Sequence, residues 1–169
     1  MKTLLRKLAD VNSWVSFAKD TPMSAANLCH KVNASACGEH GVENFRAFMF
    51  SVGWLAVPLY TRVCRDAWTF TLEWRRHGIL DEARDGDTLI MGYFYDCLPD
   101  APRVLYLPAV TRGDGTATFT LPDPAGPGGE PLSPETVVHI YPYFKCPDVE
   151  EYTRSIYLRV APGAEEVLG

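Results

Sequence analysis

The sequence predicts an α+β protein, with short N-terminal helices followed by a seven-strand antiparallel β-sandwich of immunoglobulin or fibronectin type III kind. Three observations predict it. Apolar residues recur at helical spacing only in the first third, the remainder reads as short alternating runs bounded by turn residues, and no helical period separates those runs. The last point argues against parallel βαβ units.

Leu4, Leu8, Val11, Val15 and Ala18 form the apolar stripe of a first helix, widened by Leu5 and Phe17, with Lys2, Arg6 and Lys7 on the other side. Thr21 and Pro22 read as the cap and first residue of a second helix running to about Val32. Residues 33–41 are small and polar, which predicts a loop. From Phe45 onward the vocabulary is β. Residues 45–52 form an apolar, aromatic run ending at Gly53. Residues 67–74 place Trp68, Phe70, Leu72 and Trp74 on one face and Thr69, Thr71 and Glu73 on the other. Residues 87–95, 103–110, 116–121, 136–144 and 152–160 complete the seven. Pro142 has no N–H to give, so its strand carries a bulge or leaves one side unpaired, and an unpaired side is an edge open to another chain. The division this implies is a helical segment, residues 1–44, packed on a sandwich domain, residues 45–169.

With 169 residues, 47% of them hydrophobic, the chain can bury one ordinary core without metal or disulfide, so no cofactor is called for. Gly and Pro near average usage and 12% aromatic residues exclude disordered and collagen-like classes. A net charge of −5 provides no field to gather nucleic-acid phosphates, and the Lys2, Arg6 and Lys7 group reads as a solvated face. Five scattered cysteines suit reduced thiols rather than a disulfide framework. The longest apolar run, residues 48–60, is far short of the roughly 20 residues of a membrane span. No signal-peptide pattern precedes Asp10, so a cytoplasmic location is expected.

Several runs resemble successive strands of a family of uncharacterised function from gut Bacteroidetes. They are Trp68-Thr-Phe-Thr-Leu-Glu-Trp74, Asp87-Thr-Leu-Ile-Met-Gly-Tyr-Phe-Tyr95, Arg112-Gly-Asp-Gly-Thr-Ala-Thr-Phe-Thr-Leu-Pro122, Glu135-Thr-Val-Val-His-Ile-Tyr-Pro-Tyr-Phe144 and Ser155-Ile-Tyr-Leu158. Trp14-Val-Ser-Phe-Ala-Lys19 with Ala25-Ala26-Asn27 is similar to the family's helical stretch, and Phe48-Met-Phe-Ser-Val-Gly-Trp-Leu55 to its Ser-x-Gly strand. Residues 29–40 depart from the pattern. The resemblance implies a fold and a taxonomic setting, and it brings no activity, cofactor or catalytic residue.

Four constellations carry chemistry. Cys29, His30, Cys37 and His40 are the donor types of a zinc site, but adjacent Cys29 and His30 point about 100° apart on a helix. A buried Cys29, a loop Cys37 and an exposed His40 are the favoured reading. Any cysteine paired with His30, His40, His77 or His139 would be a nucleophile and base, yet no hydrolase signature, phosphate loop or zinc-protease motif is present. The acidic pairs Asp81/Glu82, Asp85/Asp87 and Glu150/Glu151 read as solvated turns. Finally, if Val138, Ile140 and Phe144 face the core, His139, Tyr141 and Tyr143 face outward beside Tyr157. Such a row can stack on sugar rings or on a protein partner. Cover by the N-terminal helices is favoured, because an uncovered apolar helix face would be the greater liability. The expectation is therefore a non-catalytic interaction protein that uses a sandwich face or edge strand to contact a protein partner or a second copy. Carbohydrate binding is the alternative and a zinc site the third.

Overall fold

A computed structural model of the chain describes residues 4, 5, 8, 11–75, 84–122 and 124–168. The Lys2, Arg6 and Lys7 group, His77 and the Asp81/Glu82 pair lie outside the described residues. Helices α1 (Asn12–Ala18) and α2 (Ala25–Asn33) precede ten strands: β1 (Cys37–Gly38), β2 (Gly41–Val42), β3 (Leu59–Asp66), β4 (Thr69–Arg75), β5 (Thr88–Tyr95), β6 (Arg103–Thr111), β7 (Thr116–Thr120), β8 (Val138–Lys145), β9 (Leu158–Val160) and β10 (Glu165–Val167). They form a β1-β2 hairpin and two four-stranded antiparallel sheets, ordered β10-β3-β4-β7 and β6-β5-β8-β9. The seven-strand immunoglobulin or fibronectin arrangement is thereby corrected: the described chain is mostly β with some helix, in three antiparallel sheets of four, four and two strands. No helix among the described residues is long and apolar enough to cross a membrane.

One of the expected strands is absent, and the one expected at 152–160 shortens to β9. Residues 45–52 form no strand although Phe48, Phe50 and Val52 are buried. The backbone groups of Met49 and Phe50 bond to side chains instead of a ladder, and Ser51 O accepts from Ser155 N–H. Asn33 takes both polar groups of Met49 (Nδ2 to O 3.0 Å, N to Oδ1 2.8 Å), Ser155 Oγ accepts from the N–H of Phe50 and Ser51, and Trp14 Nε1 donates to Phe50 O. The strand that sequence alternation misses is β3. A bulge between Tyr60 and Arg62 shifts its alternation, so Tyr60, Val63 and Arg65 point inward. Arg65 is buried because its guanidinium donates to four carbonyl contacts, on Ala67, Thr136, Val160 and Pro134.

The helix starts also differ. Ser24, not Thr21, caps α2, its Oγ accepting from Asn27 N–H. Thr21 Oγ1 donates to Ala18 O and accepts from Met23 N–H, which closes the turn between the helices. The expected loop at 33–41 holds a 3-10 turn (Ala34–Ala36) and the β1-β2 hairpin.

Two apolar clusters follow from this topology. Between the four-stranded sheets lie Phe70, Leu72, Trp74 and Phe119 from one, and Leu89, Met91, Val138, Ile140 and Phe144 from the other. On the far side of the second sheet, Leu4, Leu8, Trp14, Phe48 and Phe50 cover Ile90, Phe94, Tyr141 and Tyr143. Strands β5 and β8 are thus buried on both faces. Gly92 is required there, since a Cβ on it would lie 2.4 Å from the Phe50 ring.

Candidate functional site

Alternation along β8 does send His139, Tyr141 and Tyr143 to the face opposite Val138 and Ile140, but that face is not a free surface. Tyr141 and Tyr143 are fully buried and His139 is 3% exposed. Tyr157 alone of the row is half-buried, and its ring is inclined 52° to Tyr141. The coplanar Tyr141/Tyr143/Tyr157 platform that a sugar would stack on is therefore absent. Residues 45–50 supply the cover: Tyr141 donates to Phe45 O at 2.7 Å, and the Phe45 ring lies parallel to the His139 imidazole with centroids 3.7 Å apart.

His139 sits in a hydrogen-bonded chain. Nε2 is 2.7 Å from Asp96 Oδ1 and Nδ1 is 3.0 Å from Tyr157 Oη. An ionised Asp96 only accepts, so Nε2 carries the proton and Nδ1 accepts from the Tyr157 hydroxyl. Burial holds the imidazole below its ordinary pKa, with Asp96 pulling the other way. An Asp–His–Tyr chain has the parts of an acid–base relay, but both ring nitrogens are engaged internally and neither is left for a substrate. The arrangement locks the Phe45 segment to β8.

Tyr143 has a different neighbourhood. It belongs to a transverse row with its cross-strand partner Ile90 and with Tyr106, the partner of Ile90 on β6. The row borders a cavity of about 110 Å³ roofed by Val11 and Asn12 and flanked by Lys145 and Tyr152. The sequence singled out Tyr143 but not Lys145, Tyr106 or Tyr152. The period-2 spacing of Tyr143 and Lys145 is the one signal that could have joined two of them.

The cysteine and histidine candidates are not brought together as a metal site. Cys29 is buried on α2, its Sγ 3.7 Å from Leu5 O and 3.8 Å from Asn33 Nδ2, and burial pushes the thiol up to about 11. Cys37 is half-buried on β1, while His30 and His40 are exposed. Among the described residues no three His, Cys, Asp or Glu side chains are grouped to hold a metal ion. The Asp85/Asp87 pair is not a solvated turn: Asp87 is 1% exposed and 3.6 Å from the equally buried Arg112 guanidinium. Burial raises the Asp87 carboxyl and Arg112 opposes that rise.

The remaining feature is an edge. Pro142 O accepts from Ile156 N–H, on the β9 side of β8. A strand residue sends its N–H and C=O to one side, so the missing Pro142 N–H faces β9, and the β8-β9 ladder stops at Ile140 and Leu158. The parity then propagates. Tyr141, His139 and Tyr143 bond to Gly92, Phe94 and Ile90, a pattern that the Asp96 N–H to Val137 O bond continues. Leu89, Met91 and Tyr93 consequently turn to β6 and meet Leu107, Leu105 and Arg103. The backbone groups of Val104 and Tyr106 point away from the sheet, bracketed by Pro102 and Pro108 on the same side. Among the described residues β6 pairs only with β5, which makes it the longest open edge. Compared with known protein families and with curated proteins, the chain matches none.

Proposed function

We propose that this chain is a non-catalytic interaction module that contacts another polypeptide by adding a strand to the β6 edge. The observation that carries the reading is the outward pair of N–H and C=O groups on Val104 and Tyr106, a ready template for an extended segment. Tyr106 supplies the side chain. It is 60% exposed on that edge, an aromatic anchor of the kind that dominates interface energetics. The outer face of the other sheet is polar by contrast, with Thr69 bonded to Thr120 and Thr71 to Thr118.

Four backbone hydrogen bonds at about 1 kcal/mol net each give ~4 kcal/mol, millimolar affinity on their own. The contact is accordingly a modest one unless side chains around Tyr106 add to it. Pro102 and Pro108 confine the ladder to these two residues and protect the edge from open-ended aggregation.

The test compares Tyr106→Pro with Tyr106→Ala. The first deletes an outward N–H without breaking a bond to β5, and the second removes only the ring. A polypeptide captured from extract of the producing cells should be lost with Tyr106→Pro, weakened with Tyr106→Ala, and should slow amide exchange at Val104 and Tyr106. Protection that falls elsewhere while both variants still capture it refutes strand addition.

A further inference from the structure

The β6 edge is symmetric about Leu105. Val104 and Tyr106, whose N–H and C=O groups point outward, lie one residue to either side of it, and Pro102 and Pro108 lie three residues to either side. All four share the outward parity, whereas the polar groups of Leu105 turn to β5. An edge built this way is complementary to its own reverse.

Two copies set antiparallel about a two-fold axis through Leu105 bring Val104 of each against Tyr106 of the other. In such a pair each residue donates its N–H to the opposite carbonyl, so the outward groups of Val104 and Tyr106 are all satisfied, in four bonds. Pro102 then faces Pro108 of the second copy, and no N–H is stranded against a proline ring. Neighbouring registers do worse. An axis at Val104 sets Tyr106 against Pro102, an axis at Tyr106 sets Val104 against Pro108, and either leaves a carbonyl without its donor.

The side chains agree with the register. Tyr106, 60% exposed, falls beside Val104 of the second copy on the face that carries Ile90, a favourable aromatic and β-branched pair made twice. Leu105 meets its own copy on the opposite face. Arg103, the one charged residue from 102 to 108, falls opposite Leu107, so no like charges confront each other. Edges that avoid their own kind carry charge, and Val104, Leu105 and Tyr106 carry none.

We propose that this edge binds a second copy of the chain, joining two β6-β5-β8-β9 sheets into one eight-stranded antiparallel sheet across a two-fold axis at Leu105. The proposal names the partner for strand addition at β6 and rests on that reading. Both β6 edges are consumed in the contact, so assembly through them stops at a dimer.

Sedimentation equilibrium and amide NMR of the full chain between about 10 μM and 2 mM test this, with a dissociation constant expected on the order of 0.1–1 mM. The average mass should rise toward that of two chains, with shift changes centred on Val104, Leu105 and Tyr106. Tyr106→Pro deletes one N–H per copy, two of the four bonds, and should weaken the dimer at least about tenfold with far-UV circular dichroism unchanged. Leu105→Cys serves if that variant misfolds. Its two Cα atoms would face each other across the axis at about 4.5 Å, within disulfide reach, so mild oxidation should link two copies through position 105, with the parent treated alike as control for its own cysteines. The mass of one chain at every concentration overturns self-pairing; if a different polypeptide still slows exchange at Val104 and Tyr106, strand addition itself stands. A dimer whose shifts fall away from β6, or that Tyr106→Pro leaves equally tight, also overturns the proposal. A dimer that shifts β6 but gives no linkage at position 105 overturns the register.

Discussion

Asn33 provides the sharpest test of how residues 45–52 are held. That segment has the apolar content of a core strand but no strand neighbour, and the polar groups of Met49 are satisfied by one side chain at the end of α2. Asn33 is fully buried. Asn33→Ala leaves one N–H and one C=O unpaired beside the core, at about 1–3 kcal/mol each. The expected loss is ~2–6 kcal/mol, a large part of the roughly 5–15 kcal/mol that ordinarily stabilises a domain. Asn33→Asp keeps the acceptor for Met49 N–H but sets a carboxylate against Met49 O, so it should be at least as damaging at neutral pH and recover in part when acid protonates it. Urea unfolding read by far-UV circular dichroism and tryptophan fluorescence measures both, and Trp14 reports locally because it bonds to Phe50 O. A loss below about 0.5 kcal/mol for Asn33→Ala, the size of an ordinary surface substitution, would refute this account of the segment.

Two further outcomes follow from the same cover over β5 and β8. Gly92→Ala places a Cβ 2.4 Å from Phe50 Cγ in a packed interior, and calorimetry should show about 3 kcal/mol of lost stability; a melting temperature within error of the parent would contradict the packing. His139 has a folded pKa below its ordinary 6.5, chiefly through burial. The unfolded chain then takes its proton at higher pH, so this contribution is complete above about 6.5 and is lost as pH falls below it. The raised Asp87 carboxyl acts with the opposite sign, in a window that starts at its ordinary 3.8. Denaturant midpoints between about pH 7.5 and 5.5 should fall for the parent and stay flatter for His139→Gln, and parallel curves would exclude His139 as the cause.

Where one face alone was buried, period-2 alternation showed the structure. Phe70, Leu72 and Trp74 point inward on β4 and Thr69, Thr71 and Glu73 outward, as the pattern reads. It failed where another force intervened. In β3 the bulge at Tyr60 and Arg62 breaks the period and a charged Arg65 occupies an inward position, so the run does not look like a strand. In residues 45–52 the apolar spacing is strand-like, yet the hydrogen-bond partners are Asn33, Ser155 and Trp14, up to 105 residues distant. No local signal marks such a pairing. The two faces of β8 were legible, because alternation separates His139, Tyr141 and Tyr143 from Val138 and Ile140. A cover over the first three was expected from the N-terminal helices, and Leu4, Leu8 and Trp14 join it; the share of Phe45 and Phe48 was not legible, since they reach these residues only through the tertiary fold. Pro142 signalled an unpaired side, and the direction of that side emerged only from the bond between its carbonyl and Ile156.

Amide hydrogen exchange along β6 is the most direct measurement of the open edge on which the proposed contact rests. In the isolated chain the β6 parity predicts alternation: slow exchange at Arg103, Leu105 and Leu107, whose N–H groups bond to β5, and fast exchange at Val104 and Tyr106. Uniform slow exchange across all five would mean that the edge is already covered, and slow exchange at Val104 and Tyr106 alone would reverse the assigned direction of the ladder.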